Sequence, residues 1–472
     1  MIEKVLSGRR GWLAGPLLIV ASHASGAQTS SGPVLARTTV AFVDVSVIPM
    51  DRDRVLAHQT VVVRDGRIVA IGAASSTRVP DDASRVNGRG KFLAPGLVDM
   101  HAHLAAGTDA LTDPAGRQLA LYLASGVTTV RSLSSPPSAL PGQLLLRARI
   151  ARGEALGPTL VLAGASINGR SAKTPDDAAR MVAEQKAAGF DLIKTHGMFA
   201  SVEAYDSLVA AARRAGLPLV GHVTPEYGLA HAMDAGQQIE HLDGWIAATV
   251  RDGTPAPADQ IVVDPAVLAG VDTNRVRALA GEFARRHLWN GPTLALFATI
   301  AGPDTPDVLA ARPAMRYVPA AALAQWKAQK TDAAAQMPPD GARAFLALRD
   351  FTVRALHDSG AKLLAGSDSP QFFMTAGDGL LREVEAMAHA GLSPYAALET
   401  ATRNPAEWLR RADAGTVSLG KRGDLVLLEA NPLADVTNLR TLVGVMVDGR
   451  WLDAARLQAL RDGVAGAANP GA

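Results

Sequence analysis

The chain has 472 residues, long for one ordinary domain and able to bury a large core, so one large domain with a smaller companion is expected. Hydrophobic residues make up 48% and charged residues 19%, which excludes an intrinsically disordered chain. The absence of cysteine excludes disulfides and thiolate metal sites, and a net charge of +2 with 4% aromatics supplies neither the basic run nor the stacking rings that nucleic acid requires.

In chain order, "MIEKVLSGRRGWLAGPLLIVASHASGA" has a basic start ending at Arg9-Arg10, an apolar core from Trp12 to Ala21, and small residues at Ser25 and Ala27. That three-part order predicts a secretory signal peptide over residues 1–27, cleaved near Ala27, with the paired arginines allowing a twin-arginine route as well as the general one. The apolar core is short for a membrane anchor. Loss of Glu3, Lys4, Arg9 and Arg10 leaves basic and acidic residues equal in number. A soluble periplasmic or secreted protein is therefore expected, with no membrane attachment after processing and with self-association into a homo-oligomer left open.

Residues 28–36, "QTSSGPVLA", read as a flexible lead-in. The β-rich runs "TTVAFVDVSVIPM" and "QTVVVRDGRIVAIGA" follow, the second carrying Asp65-Gly66, a tight hairpin signal. The same character returns over 416–452, with another hairpin signal at Asp448-Gly449. Segments 28–92 and 413–458 are therefore expected to build one small β-sandwich-like domain from both termini, with 459–472 as a tail.

Between them, over 93–412, short apolar strands alternate with Ala-rich amphipathic helices such as "DAARMVAEQKAAG" and "VEAYDSLVAAARRAG". Strand candidates are "FLAPGLVDMH", "GVTTVRSL", "TLVLAG", "FDLIKT", "LPLVGHV", "QQIEHL", "LWNGPTLAL" and "KLLAGSD". Eight such units predict an α/β fold of the (β/α)8 TIM-barrel type, with an open doubly wound sheet as the runner-up. The long connections 243–287 and 297–360 are expected to cover a pocket on the catalytic rim.

In such a barrel the active site lies at the C-terminal ends of the strands. Those ends carry His101 and His103, Lys194, His222, His241 and Asp368. Residues i and i+2 of a strand share a face, so His101 and His103 present two imidazoles side by side, a pair able to hold a divalent metal. Each residue also has an ordinary reading: His222 and His241 as core histidines bonded to backbone, Asp368 as a turn or helix cap before Pro370, Lys194 as a surface lysine. Joint placement at strand ends favours the metal site. A buried lysine can lose its proton, and the free amine of Lys194 could then take up carbon dioxide to become an anionic carbamate able to bridge two metals.

The stretches "PGLVDMHAHL", "GVTTVRSL", "GFDLIKTHG", "LVGHV", "AGQQIEHLDG", "LLAGSDSP", "GLSPYAALETATRNPAEWL" and "GKRGDLVLLEANPL" resemble the amidohydrolase superfamily, within it the imidazolonepropionase-related and Xaa-Pro dipeptidase (prolidase-like) enzymes. The resemblance covers nearly the whole mature chain and implies a binuclear site with two divalent ions, usually zinc. His101, His103 and Asp368 would hold one ion and His222 and His241 the other, with Lys194, carboxylated at N6, and a hydroxide between them. Mononuclear relatives of the imidazolonepropionase type lack the strand-four lysine, so Lys194 argues for two ions. Ser132 stands where the family often has an acidic residue after "TTVR", which leaves Arg131 either in the pocket or structural.

The resemblance implies hydrolysis of an amide or peptide bond in a small molecule or dipeptide, of the Xaa-Pro or N-acyl amino acid type, with Asp368 moving the proton. Opening of a lactone or cyclic amide, cleavage of an organophosphate ester, and a silent scaffold on this fold are the alternatives. Candidate substrate contacts are Arg131, Arg170, His196, Tyr227 and Trp245, each equally explicable as packing or solvent contact; His196 is expected to share the face of Lys194.

Overall fold

The computed structural model describes residues 36–108, 113–255, 257 and 261–468. The expected signal peptide and almost all of the lead-in lie outside the described residues. Five strands open the described chain: β1 (Val40–Val47), β2 (Leu56–Arg64), β3 (Arg67–Ala73), β4 (Ser84–Asn87) and β5 (Phe92–Pro95). The eight barrel strands follow: β6 (Leu97–Ala102), β7 (Val127–Ser132), β8 (Thr159–Leu162), β9 (Ile193–Thr195), β10 (Leu219–Gly221), β11 (Gln238–Glu240), β12 (Trp289–Gly291) and β13 (Lys362–Leu363). Strands β14 (Leu425–Leu428), β15 (Leu442–Val447) and β16 (Arg450–Asp453) complete the set.

The outer strands form one eight-stranded sheet in the order β16-β15-β14-β5-β1-β2-β3, with β4 paired to β1. Both termini therefore contribute to one small domain, packed on a cluster that includes Phe42, Val61, Leu93, Leu425 and Met446. Its two Asp-Gly hairpins are built as the sequence predicts: Asp65 and Gly66 have φ of 50° and 75°, and Asp448 and Gly449 have 47° and 75°. Positive φ at both central residues matches the twist of the flanking strands, and Asp and Gly tolerate it best.

Parallel pairing joins β6-β7-β8 and β9-β10-β11-β12-β13. Bridges Ala163 to Leu192 and Ile167 to Thr195 close one seam, and Ala102 to Ser369, with Met100 N donating to Ala365 O at 3.0 Å, closes the other. The result is the (β/α)8 barrel. The helix over Val202–Ala215 shows how local sequence sets the repeat: Ser201 caps its first turn and Gly216, at φ 65°, ends it.

Several boundaries differ from expectation. The run "FLAPGLVDMH" serves two sheets, because β5 pairs with β14 and β1 while β6 enters the barrel. The domain boundary therefore lies after β5 rather than after residue 92. In "LWNGPTLAL" the strand stops at Gly291 and a helix runs from Leu294 to Ala301. The long connections are chiefly helical rather than open loops, and 297–360 shares an apolar cluster, including Phe297, Phe345 and Phe373, with the segment after Asp368. Residues expected as a tail belong to a helix, Ala454–Ala468, that buries Leu457 and Val464. Among the described residues, no helix is long and apolar enough to cross a membrane.

Candidate metal centre

The barrel brings His101, His103, Lys194, His222, His241 and Asp368 to one end of its parallel strands. Nε2 of His103 lies 2.7 Å from Asp368 Oδ1, Nε2 of His101 3.4 Å from the same oxygen, and Nε2 of His241 3.8 Å from Oδ2. Ligand atoms of His101, His241 and Asp368 all fall within 4.8 Å of one another. The His222 ring stacks on His241 with centroids 4.6 Å apart.

Every one of the four histidines is held through Nδ1. His101 pairs with Glu240 Oε2 at 2.8 Å, His222 with Asp243 Oδ2 at 2.8 Å, His103 with the Ser134 carbonyl at 2.9 Å and His241 with Thr293 Oγ1 at 2.8 Å. Thr293 donates its own hydroxyl proton to Pro292 O, so it accepts from His241. At His101, His222 and His241 an acceptor on Nδ1 fixes the tautomer in which Nε2 carries the lone pair, the form a metal takes; at His103 burial disfavours the charged ring, but the Asp368 carboxylate at Nε2 outweighs it and raises the pKa.

Burial disfavours the charged imidazolium of His101, His222 and His241 and pushes all three well below the ordinary histidine range. Burial opposes ionisation of Asp368, but the imidazoles of His101 and His103 outweigh it and hold the carboxyl below the usual carboxylate range. Lys194 is 1% exposed and its Nζ has no hydrogen-bond partner. Desolvation lowers its pKa, against the pull of Glu240, Asp368 and Asp243. Neutral imidazoles, an ionised carboxylate and a buried amine lacking a partner suit a divalent cation and a carboxylated lysine.

The backbone supports this at a cost. His241 and Asp368 have φ of 63° and 52°, and Thr293, which holds His241, has 48°. Left-handed backbone at non-glycine residues is sparsely populated and concentrates at functional sites.

The expected substrate contacts separate. Arg131 is fully buried in the barrel: Nε donates to Met100 O at 2.5 Å, Nη1 to Gln238 Oε1 at 2.7 Å and Nη2 to Glu240 Oε1 at 2.9 Å, with Trp408 stacked at 4.5 Å. Its guanidinium is consumed by internal partners, so the structural alternative holds. Tyr227 is buried, donates to His222 O at 2.5 Å and stacks on Tyr205 at 4.0 Å. Trp245 is buried against Phe283. Tyr227 and Trp245 line a cavity of about 360 Å³ that includes Asp243 and Arg349 in its wall but none of the four histidines, Lys194 or Asp368. Arg170 is exposed in the loop after β8. His196 is exposed and stacks on His222 at 4.6 Å, which places it at the mouth of the centre.

Sequence reasoning missed Glu240, Asp243, Thr293 and Ser134. Two of them were visible in "QIEHLDG", where acids flank His241, but neither serves that histidine. The Ser134 contribution is a backbone carbonyl and has no residue-type signal.

Residues 328–452 match the family model described as "Amidohydrolase family". Enamidase from Eubacterium barkeri is 37% identical over 82 residues, 17% of this chain and 21% of that protein. Imidazolonepropionase from Mycolicibacterium smegmatis is 40% identical over 76 residues, 16% and 19% of the two chains. The matched region thus spans about a fifth of the curated relatives' length. A solved structure described as bottromycin amidohydrolase is 26% identical, covers 91% of each chain and superposes with a TM-score of 0.71. The chain is thus similar to the amidohydrolase family over residues 328–452 and to a solved amidohydrolase structure over 91% of its length.

Proposed function

We propose that this protein is an exported, binuclear-metal hydrolase of amide or peptide bonds, acting on Xaa-Pro dipeptides or N-acyl amino acids. The observation that carries the reading is Lys194, a buried amine without a hydrogen-bond partner among four histidines, three of them fixed as the Nδ1-protonated tautomer, and an ionised aspartate. Structural lysines buried this deeply find acceptors, as Lys330 does with Ile300 O and Gly302 O at 2.9 and 2.7 Å. N6-carboxylation of Lys194 would turn it into an anionic bridge. The names enamidase and bottromycin amidohydrolase support a carbon–nitrogen bond as the one cleaved.

In this reading His101, His103 and Asp368 would hold one divalent ion and His222 and His241 the other, with Lys194 as a shared ligand and zinc as the expected metal. Bound there, the metals supply an acidified water and a Lewis acid for a carbonyl. Asp368 takes the proton of the attacking water on its carboxylate and returns it to the leaving nitrogen. His196, stacked on His222 at the opening, contacts the bound substrate. Residues 1–27 direct export and are removed.

The test is a hydrolysis screen of zinc-loaded mature protein against Xaa-Pro dipeptides, N-acyl amino acids, lactones and organophosphate esters. Turnover of the first two classes is the expected result. Turnover of lactones or phosphate esters alone would replace the amide reading with the corresponding esterase, and no turnover by metal-replete protein would overturn it.

A further inference from the structure

Glu240 heads a chain of contacts that leads from His101 into the interior of the barrel. Its Oε2 faces His101 Nδ1 at 2.8 Å. Its Oε1 takes Arg131 Nη2 at 2.9 Å and Gln238 Nε2 at 2.5 Å, while Gln238 Oε1 takes Arg131 Nη1. Arg131 is itself fixed by Met100 O, on the strand that carries His101, and by the face of Trp408. None of Arg131, Glu240 or His101 is more than 1% exposed.

We propose that Arg131 and Glu240 are a positioning pair for His101: one arm of the guanidinium fork and the Gln238 amide, itself held by the other arm, fix one carboxylate oxygen so that the other takes the Nδ1 proton, leaving Nε2 of His101 to ligate metal. Three observations bear on it. Both oxygens of Glu240 have assigned partners, so the carboxylate cannot rotate away from the imidazole. Arg131 presents two nitrogens to two different acceptors in one plane, which lysine cannot reproduce. And room for the carboxylate is provided from a third strand, because a Cβ at Gly291 of β12 would fall inside van der Waals contact of Glu240 Oε2. Four strands, β6, β7, β11 and β12, thus converge on the proton of one ring nitrogen. An ion pair serving only to fill the core would be indifferent to which nitrogen of His101 carries it.

The inference rests on the metal-centre reading, but its first readout does not. In metal-free full-length protein with ¹⁵N-labelled histidine, the His101 signal, identified by its loss in His101→Asn, is expected to report the Nδ1-protonated tautomer. The double variant Arg131→Met/Glu240→Leu removes both buried charges together and so spares the fold an unpaired ion. It is expected to populate the other tautomer and to bind zinc about 10- to 100-fold more weakly in chelator competition, the usual effect of losing a partner behind a ligand. Gly291→Ala, which keeps every charge and displaces the carboxylate, should shift both readouts in the same direction, and Arg131→Lys should fall between it and wild type. A folded double variant or Gly291→Ala with wild-type tautomer and zinc affinity overturns the proposal. So does failure of all three variants to fold, which would make the pair a folding element only. A wild-type protein with the expected tautomer that binds no zinc would instead refute the metal-centre reading and leave the pairing intact.

Discussion

Replacing Asp368 with asparagine separates metal binding from proton transfer. The backbone around it is held by bonds the substitution leaves alone: Asp368 N donates to His101 O at 2.7 Å, and Gln371 Nε2 donates to Asp368 O at 2.9 Å. Asparagine also tolerates the φ of 52° found there, whereas alanine would add strain. The amide oxygen can still face the imidazoles and a metal, but the amide is no base. Loss of a positioned proton shuttle costs on the order of 10² to 10⁴ in rate, about 3–5 kcal/mol of barrier at roughly 1.4 kcal/mol per decade. Were Asp368 only a turn cap, the cost would be about 1 kcal/mol of stability with little change in turnover. Asp368→Asn is therefore expected to fold, keep part of its metal and lose nearly all hydrolysis of its best substrate. The assay is kcat at matched metal occupancy, measured by elemental analysis of the same sample, because lost metal mimics lost chemistry. Full metal content with near-wild-type turnover would refute the assignment of Asp368 as the base.

Lys194→Ala is expected to lower the metal content from two ions per chain and to abolish a ¹³C carbamate signal after growth in labelled bicarbonate; fully active wild type with one ion per chain would exclude the bridged pair. Thr293→Val keeps the shape of the side chain but strands the Nδ1 proton of His241, so it should cost about 1–3 kcal/mol in denaturant unfolding and weaken zinc binding by roughly 10-fold or more. An unchanged zinc affinity would show that the Thr293 hydroxyl does not orient the ring. For export, the amino terminus of protein recovered from the periplasm is expected near Gln28. An intact Met1, or retention in the inner membrane, would contradict the signal-peptide assignment.

The periodicities of the chain determined its architecture, because eight apolar strands separated by amphipathic helices leave few ways to bury their faces other than a closed parallel barrel. The same local rules set the Asp-Gly hairpins, where residue type alone selects positive φ. Residue type and strand-end position were likewise enough to pick out the six side chains that now share one end of the barrel, since few residues serve as metal ligands without cysteine. What holds those side chains was a tertiary matter. Glu240 precedes His241 in the chain yet orients His101, 139 residues away, and Asp243 follows His241 yet orients His222. Glu240 and His241 are adjacent and face opposite sides, and Asp243 lies past the strand, beyond the left-handed backbone of His241 and Leu242, so each acid meets an imidazole from the next strand around the barrel or from one across it. For the same reason Arg131 could not be sorted between pocket and core from its motif. Only closure of the barrel put its guanidinium beneath Glu240, out of reach of any substrate.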